Sequence, residues 1–178
     1  MTDPRKTYGL LAEYESAADI YHACEKVRDA GYRLWDSYTP YPVHGLEKAM
    51  GVGPSKVPWI TFACGMVGAS IGFSAQTWVS AFDYPIIYAG KPFISYQAFV
   101  PVTFESGVLL ASFGTLFGML ALNGLPRWYH SLFNAPKFAR VTDDRFFIAI
   151  EARDPKFGDE TRALLEATGA VSIEEVER

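Results

Sequence analysis

Cysteine is scarce: Cys24 and Cys64 are the only two among 178 residues, and neither has a C-x-x-C partner. A zinc or iron–sulfur site takes about four ligands, so no metal site is expected within this chain alone. No C-x-x-C-H motif offers a haem attachment point. Phosphate loops of the G-x-x-x-x-G-K-[ST] and G-x-G-x-x-G types are also missing. Gly51-Val52-Gly53-Pro54 is too short for one, and Pro54 has no N–H to cradle a phosphate. No G-x-S-x-G nucleophile elbow occurs. These absences leave catalysis by the chain alone unsupported.

The most informative shortage is of charge, and it is local. Residues 57–126 carry only Lys91, Asp83 and Glu105. The 56 residues before them hold 7 Lys/Arg and 8 Asp/Glu, and the 52 after them hold 8 and 10. A net charge of −4 with this pattern excludes an ordinary soluble globule, a disordered chain and a basic nucleic-acid binder.

What fills the uncharged middle is apolar. Val57 to Phe82 and Ser106 to Pro126 are two uncharged runs of 26 and 21 residues. A hydrocarbon core about 30 Å thick needs about 20 apolar residues in helix. The pattern predicts a membrane hairpin with spans near 58–80 and 101–123. Asp83, Pro85, Gly90, Lys91 and Pro92 fill the loop between them. Both runs are internal and Met1 to Lys6 is polar, so no cleaved leader is expected. Lys48 and Lys56 precede the hairpin, and Arg127, Lys137 and Arg140 follow it, against Lys91 alone in the loop. That bias predicts both termini on the cytoplasmic side of the membrane.

Small residues punctuate both runs. Gly65, Gly68 and Gly72 lie in the first; Gly107, Gly114 and Gly118 lie in the second. Gly68/Gly72 and Gly114/Gly118 fit G-x-x-x-G, which lets helices approach closely in lipid. The neighbour is either the other helix of the hairpin or a helix of a larger complex, and the two readings are compatible.

The flanking regions share one pattern. Residues 8–14 read as a strand. Ser16 caps a helix whose apolar face carries Ala17, Ile20, Cys24 and Val27, Gly31 stops it, and residues 32–38 return extended. After the hairpin, Phe146, Ile148 and Ile150 alternate in a strand. Asp159 is expected to cap a helix bearing Ala163, Leu164 and Ala167. Gly169 ends that helix, and Val171 and Ile173 begin a last strand. The expected fold class is an α+β membrane protein, with a transmembrane hairpin inserted between two βαβ halves of a ferredoxin-like cytoplasmic domain. The expected divisions are 1–56 and 126–178 for the halves with their linkers, 57–82 and 101–125 for the spans, and 83–100 for an extracytoplasmic loop. Neither half has enough core to fold well alone. The linkers, 39–57 and 124–144, are rich in Pro, Gly and aromatics and suit the membrane interface.

Three histidines are available. His22 falls on the amphipathic helix as a surface or boundary residue. His44 and His130 lie in the two linkers, where folding could bring them near each other. Capping or hydrogen bonding is one reading of that pair, and shared metal or proton handling is the other. Glu105 is the sole acid in the second expected span, near 101–123. With Pro101 as first helical residue, it lies about 6 Å along the axis, where the helix dipole favours a carboxylate. With a start near Phe93 it lies much deeper and Pro101 makes a kink. An acid facing lipid is costly, so Glu105 should face protein or water. It serves either a hydrogen bond to a partner helix or proton coupling.

Several runs in order carry a family resemblance. They are Tyr8-Gly9-Leu10-Leu11-Ala12-Glu13-Tyr14, Pro42-Val43-His44-Gly45, Pro101-Val102-Thr103-Phe104-Glu105, Asn123-Gly124-Leu125-Pro126 with His130, and Asp144-Arg145-Phe146-Phe147. Over roughly residues 7–176 the chain resembles the D-type membrane component of bacterial alternative complex III, a quinol:electron-acceptor oxidoreductase. The resemblance implies a small two-helix membrane subunit without a redox cofactor of its own. It implies multi-span quinol-binding subunits as partners, with iron–sulfur clusters and haem c carried by peripheral subunits. The electrons would pass to cytochrome c, a copper protein or an attached terminal oxidase.

The leading expectation is a non-catalytic structural subunit bracing the quinol-binding membrane subunits through its glycine-rich faces. A second is a contribution to proton movement through Glu105, with His130 as a further participant. A third, by fold analogy only, is a membrane-anchored sensor or transporter accessory protein. A stand-alone channel fits least, because Glu105 is the only ionisable residue within a span.

Overall fold

A computed structural model describes residues 7–178. The expectation for Met1 to Lys6 lies outside the described residues. In chain order the regular elements are β1 (Thr7–Tyr14), α1 (Ala17–Asp29), β2 (Trp35–Tyr38), α2 (Leu46–Met50), α3 (Val57–Trp78), α4 (Tyr96–Leu122), β3 (Phe146–Glu151), α5 (Asp159–Ala167) and β4 (Ser172–Glu177). A π-helical turn, Val79–Asp83, extends α3, and two 3₁₀ turns, Ser131–Asn134 and Pro136–Thr142, precede β3. The chain forms two compact units, Met1–Gly53 with Trp128–Arg178, and Pro54–Arg127.

The first unit is built on one antiparallel sheet in the order β2-β3-β1-β4. Each half of the chain supplies an outer and an inner strand, so neither half makes a contiguous sheet by itself. β3 is inserted between β1 and β2, and β1 between β3 and β4. The hinge of this arrangement is Gly9, which pairs with Glu151 on one side and Val176 on the other. A methyl group there would lie 2.0 Å from the Ile150 carbonyl oxygen. Only a residue with no Cβ lets β3 come that close.

The sheet has two cores. On one face Leu10, Ala12, Tyr14, Phe146, Ile148 and Ile150 pack against Ile20, Cys24 and Val27 of α1 and Leu165 of α5. Ser16 caps α1 by accepting the Asp19 N–H, and Gly31 and Gly169 follow α1 and α5 with φ of +81° and +91°. These are the left-handed positions that close a helix and favour glycine. On the other face Leu11, Phe147, Ala149 and Val176 pack under Leu132, Ala135 and Phe138.

Four local expectations change. The linker 124–144 is not simply interfacial: its 3₁₀ turns cover the second sheet face, because Leu132, Ala135 and Phe138 are apolar and buried. The linker 39–57 contains α2, whose Ala49 is buried in the first core. β2 starts at Trp35 rather than at residue 32. The N–H groups of Arg33 and Leu34 donate to the Asp154 carboxylate, at 2.6 and 2.7 Å, instead of entering a ladder. The cap position of α5 is Gly158 rather than Asp159, and the Thr161 hydroxyl accepts the Gly158 N–H at 3.0 Å. Asp159 and Glu160 occupy the first turn, where the helix dipole favours acids.

The second unit is a helical hairpin. Two stretches, Val57–Asp83 and Tyr96–Leu122, are long and apolar enough to cross a membrane. α4 begins at Tyr96 rather than Pro101, because the Ser95 carbonyl already accepts the N–H groups of Ala98 and Phe99. Pro101 therefore lies inside the helix.

Candidate functional site

The hairpin interface is built from residues that bring two backbones together. Gly65 faces Ala111, and Ala69 faces Gly107. A Cβ on Gly68 would meet the Ser106 carbonyl oxygen at 2.3 Å, and one on Gly72 would meet the Ser106 hydroxyl at 2.7 Å. Gly114 lies against Cys64, and Gly118 against Ile60. All six glycines singled out in the sequence thus face the other helix of the same hairpin. Small residues let two helices approach closely, and here that approach is made within the chain.

Polar side chains clasp the same seam. The Thr61 and Thr115 hydroxyls hydrogen-bond across it at 2.6 Å. At the loop end, the Gln76 amide donates to the Phe99 carbonyl at 3.1 Å and to the Gly72 carbonyl of its own helix at 3.0 Å. Sequence reading passed over these three residues. A signal existed, because antiparallel register that sets Gly65 on Ala111 also carries Thr61 to Thr115.

Glu105 is placed differently. It is exposed on α4 and makes no hydrogen bond or ion pair among the described residues. It is the tenth residue of the helix, about 14 Å along the axis from Tyr96. Successive α-helical residues turn by about 100°. Thr103 and Ser106 meet α3, so Glu105 falls on the opposite side. The rest of the hairpin surface is mostly bulky and apolar: Phe62, Val67, Ile71, Phe104 and Phe117 are each more than half exposed. An open apolar groove of about 660 Å³ runs along one side, floored by Gly65, Ala69, Gly107 and Ala111.

The histidines do not assemble. His22 is exposed beside Glu25. His44 is exposed, in the turn before α2. The His130 ring packs edge-on to Tyr8, and its Nδ1 accepts the Leu132 N–H at 3.3 Å. Its role in the structure is to start the 3₁₀ turn that covers the second sheet face. Cys24 is sealed in the first core, where burial pushes its thiol up to about 12. At neutral pH it is a protonated apolar filler rather than a nucleophile. Among the described residues, no group of three His, Cys, Asp or Glu side chains is placed to hold a metal ion.

Carboxylates of the α/β unit serve its architecture. Glu13 is buried in β1 and accepts from the Ser172 hydroxyl at 2.8 Å, with Arg145 at 3.4 Å. Asp154 is the residue that sequence reading missed most clearly. Burial pushes its carboxyl upward, but the N–H groups of Leu34, Lys156 and Arg33 outweigh it and hold the value below the usual carboxylate range. Its neighbours become visible only once the two halves meet.

Thus the α/β unit offers buried, satisfied carboxylates, and the hairpin offers a tight glycine seam with one acid on its back. No curated protein matches the sequence. A family model described as alternative complex III, ActD subunit, matches residues 8–175.

Proposed function

The chain belongs to the ActD subunit family of alternative complex III, and we propose that it acts there as a non-catalytic bracing subunit. It is a subunit of an electron-transport complex, so its partners are other subunits of that complex. In this reading the hairpin spans the bacterial inner membrane with both termini cytoplasmic, and the first unit is a ferredoxin-like domain. The sheet order β2-β3-β1-β4 and the crossovers through α1 and α5 support the fold reading. Large exposed apolar side chains along both hairpin helices support the membrane reading, since a soluble core helix would bury them.

The observation that carries bracing is how the hairpin spends its glycines. Its backbones are locked to each other by Gly68, Gly72 and Gly114, which makes a rigid two-helix rod. That rod presents aromatic and branched side chains outward. Such a surface can fill a space between multi-span quinol-binding subunits, while haem c, iron–sulfur clusters and quinol belong to those partners and their peripheral subunits. Bracing through glycine faces is thereby recast as bracing through bulky faces on a glycine-locked rod.

The test is purification of the tagged chain from its native membrane in mild detergent, with mass spectrometry and an absorption spectrum. The expected result is stoichiometric multi-span, iron–sulfur and haem subunits with a c-type spectrum. A chain that emerges alone, or with transport components, would overturn the reading and favour an accessory protein of another system.

A further inference from the structure

We propose that the back of α4 docks on a transmembrane helix of another subunit, and that this helix carries a lysine or arginine facing Glu105. The proposal rests on the membrane reading above and adds the partner's chemistry. Among the described residues no cation pairs with Glu105. α3 lies on the opposite side of α4, as Thr103 and Ser106 show. The helix's own positive end is about 14 Å away, and its influence fades within the first turn. Lys91, the one cation between the two helices in sequence, forms no ion pair among the described residues.

The surface around Glu105 has the form of a helix-packing face. Ala98, Glu105 and Ser112 recur at seven-residue intervals, with Leu109 and Leu116 beside them, and all five are exposed. The Ser112 hydroxyl is already bonded to the Val108 carbonyl of its own helix at 2.9 Å, so Glu105 is the polar group on this face left to satisfy. The groove on the side of the hairpin is a weaker docking place. Its threonine hydroxyls, Thr61 and Thr103, are engaged within the hairpin, and no charge there specifies an occupant. An ionised carboxylate in hydrocarbon is stabilised best by an opposite charge, and acids within spans face protein or water for that reason. A cationic helix satisfies Glu105 and fixes the depth of docking at once.

The experiment places a photo-crosslinking residue at Leu109, and separately at Val67 on α3, in the whole complex within native membranes. The expected adduct from position 109 is to a transmembrane helix of a multi-span subunit, with Lys or Arg within about one turn of the attachment point. Glu105→Lys and Glu105→Leu should each lower the amount of chain co-purifying with the complex at least fivefold. Glu105→Lys should recover when the partner's basic residue is changed to Glu, which also shows that the variant chain inserts. An attachment helix without a nearby cation would overturn the proposal, as would Glu105→Leu co-purifying at wild-type stoichiometry. Glu105→Gln with full assembly but lost proton coupling would overturn it in favour of proton transfer. Alkaline carbonate extraction separates the two levels. A chain released from the membrane overturns the membrane reading and this proposal with it, whereas a retained chain lacking the cationic neighbour overturns this proposal alone.

Discussion

Gly68 packs so tightly on Ser106 that a methyl group in place of its hydrogen would stand 2.3 Å from the Ser106 carbonyl oxygen and 2.9 Å from the Leu110 Cβ. The obstacle is backbone, which cannot rotate aside. Gly68→Ala should therefore push α3 and α4 apart and cost about 1–3 kcal/mol of hairpin stability. Gly65→Ala meets its nearest atom, the Ala111 Cβ, at 3.4 Å and should be nearly silent. Protease resistance of the detergent-purified chain reads the difference. Equal resistance of the two variants would contradict the packing.

In the α/β unit the corresponding position is Gly9. Gly9→Ala places its Cβ 2.0 Å from the Ile150 carbonyl oxygen, at the junction of three strands. A loss of about 3 kcal/mol is expected, because the clash is with a central strand. The visible outcome is failure of the full-length chain to accumulate, while Gly53→Ala, which meets nothing within 4 Å, accumulates normally.

Thr61 and Thr115 form one interhelical hydrogen bond. Each Thr→Val change should cost roughly 0.6–1.7 kcal/mol, the range for such bonds between membrane helices. The double variant should cost little more than either single one, since both remove the same bond. Thermal unfolding of the detergent-solubilised chain checks this. Costs that simply add would mean the two hydroxyls are not partners.

Asp154 gives a pH signature. Its carboxyl is held below the ordinary range, so its stabilising effect is present above the unfolded value of about 3.9 and is lost as pH falls through the folded value. Asp154→Ala should destabilise the chain at pH 7 by about 1.5–3 kcal/mol, the scale of hydrogen bonds to a charged group. The gap between wild type and variant should narrow below about pH 4. A gap independent of pH would show that the carboxylate charge does not hold residues 33 and 34.

Much of this architecture is legible in the sequence. The strands at 8–14 and 146–150, the Ser16 cap and the two glycine helix stops are local signals, written by alternation, capping chemistry and backbone sterics. The hairpin is legible because charge is absent over a length that only a span or a buried core explains. What escapes is set by contacts between distant residues. The late start of β2 depends on Asp154, more than a hundred residues away. The cover over the second sheet face comes from a linker whose aromatics read as interfacial. Pro101 suggests a helix start, but Ser95 opens α4 earlier and carries Glu105 deeper. The six glycines are recognisable, but which helix they meet follows from the antiparallel register of the hairpin.

The most direct test of the bracing role removes the chain and measures two quantities in the same membranes. One is the yield of assembled complex; the other is quinol-oxidising turnover per haem c in whatever complex survives. Bracing predicts that the yield falls several-fold while turnover per haem stays at the wild-type value. Full assembly with turnover lost would contradict the account, because the chain would then contribute to the reaction itself.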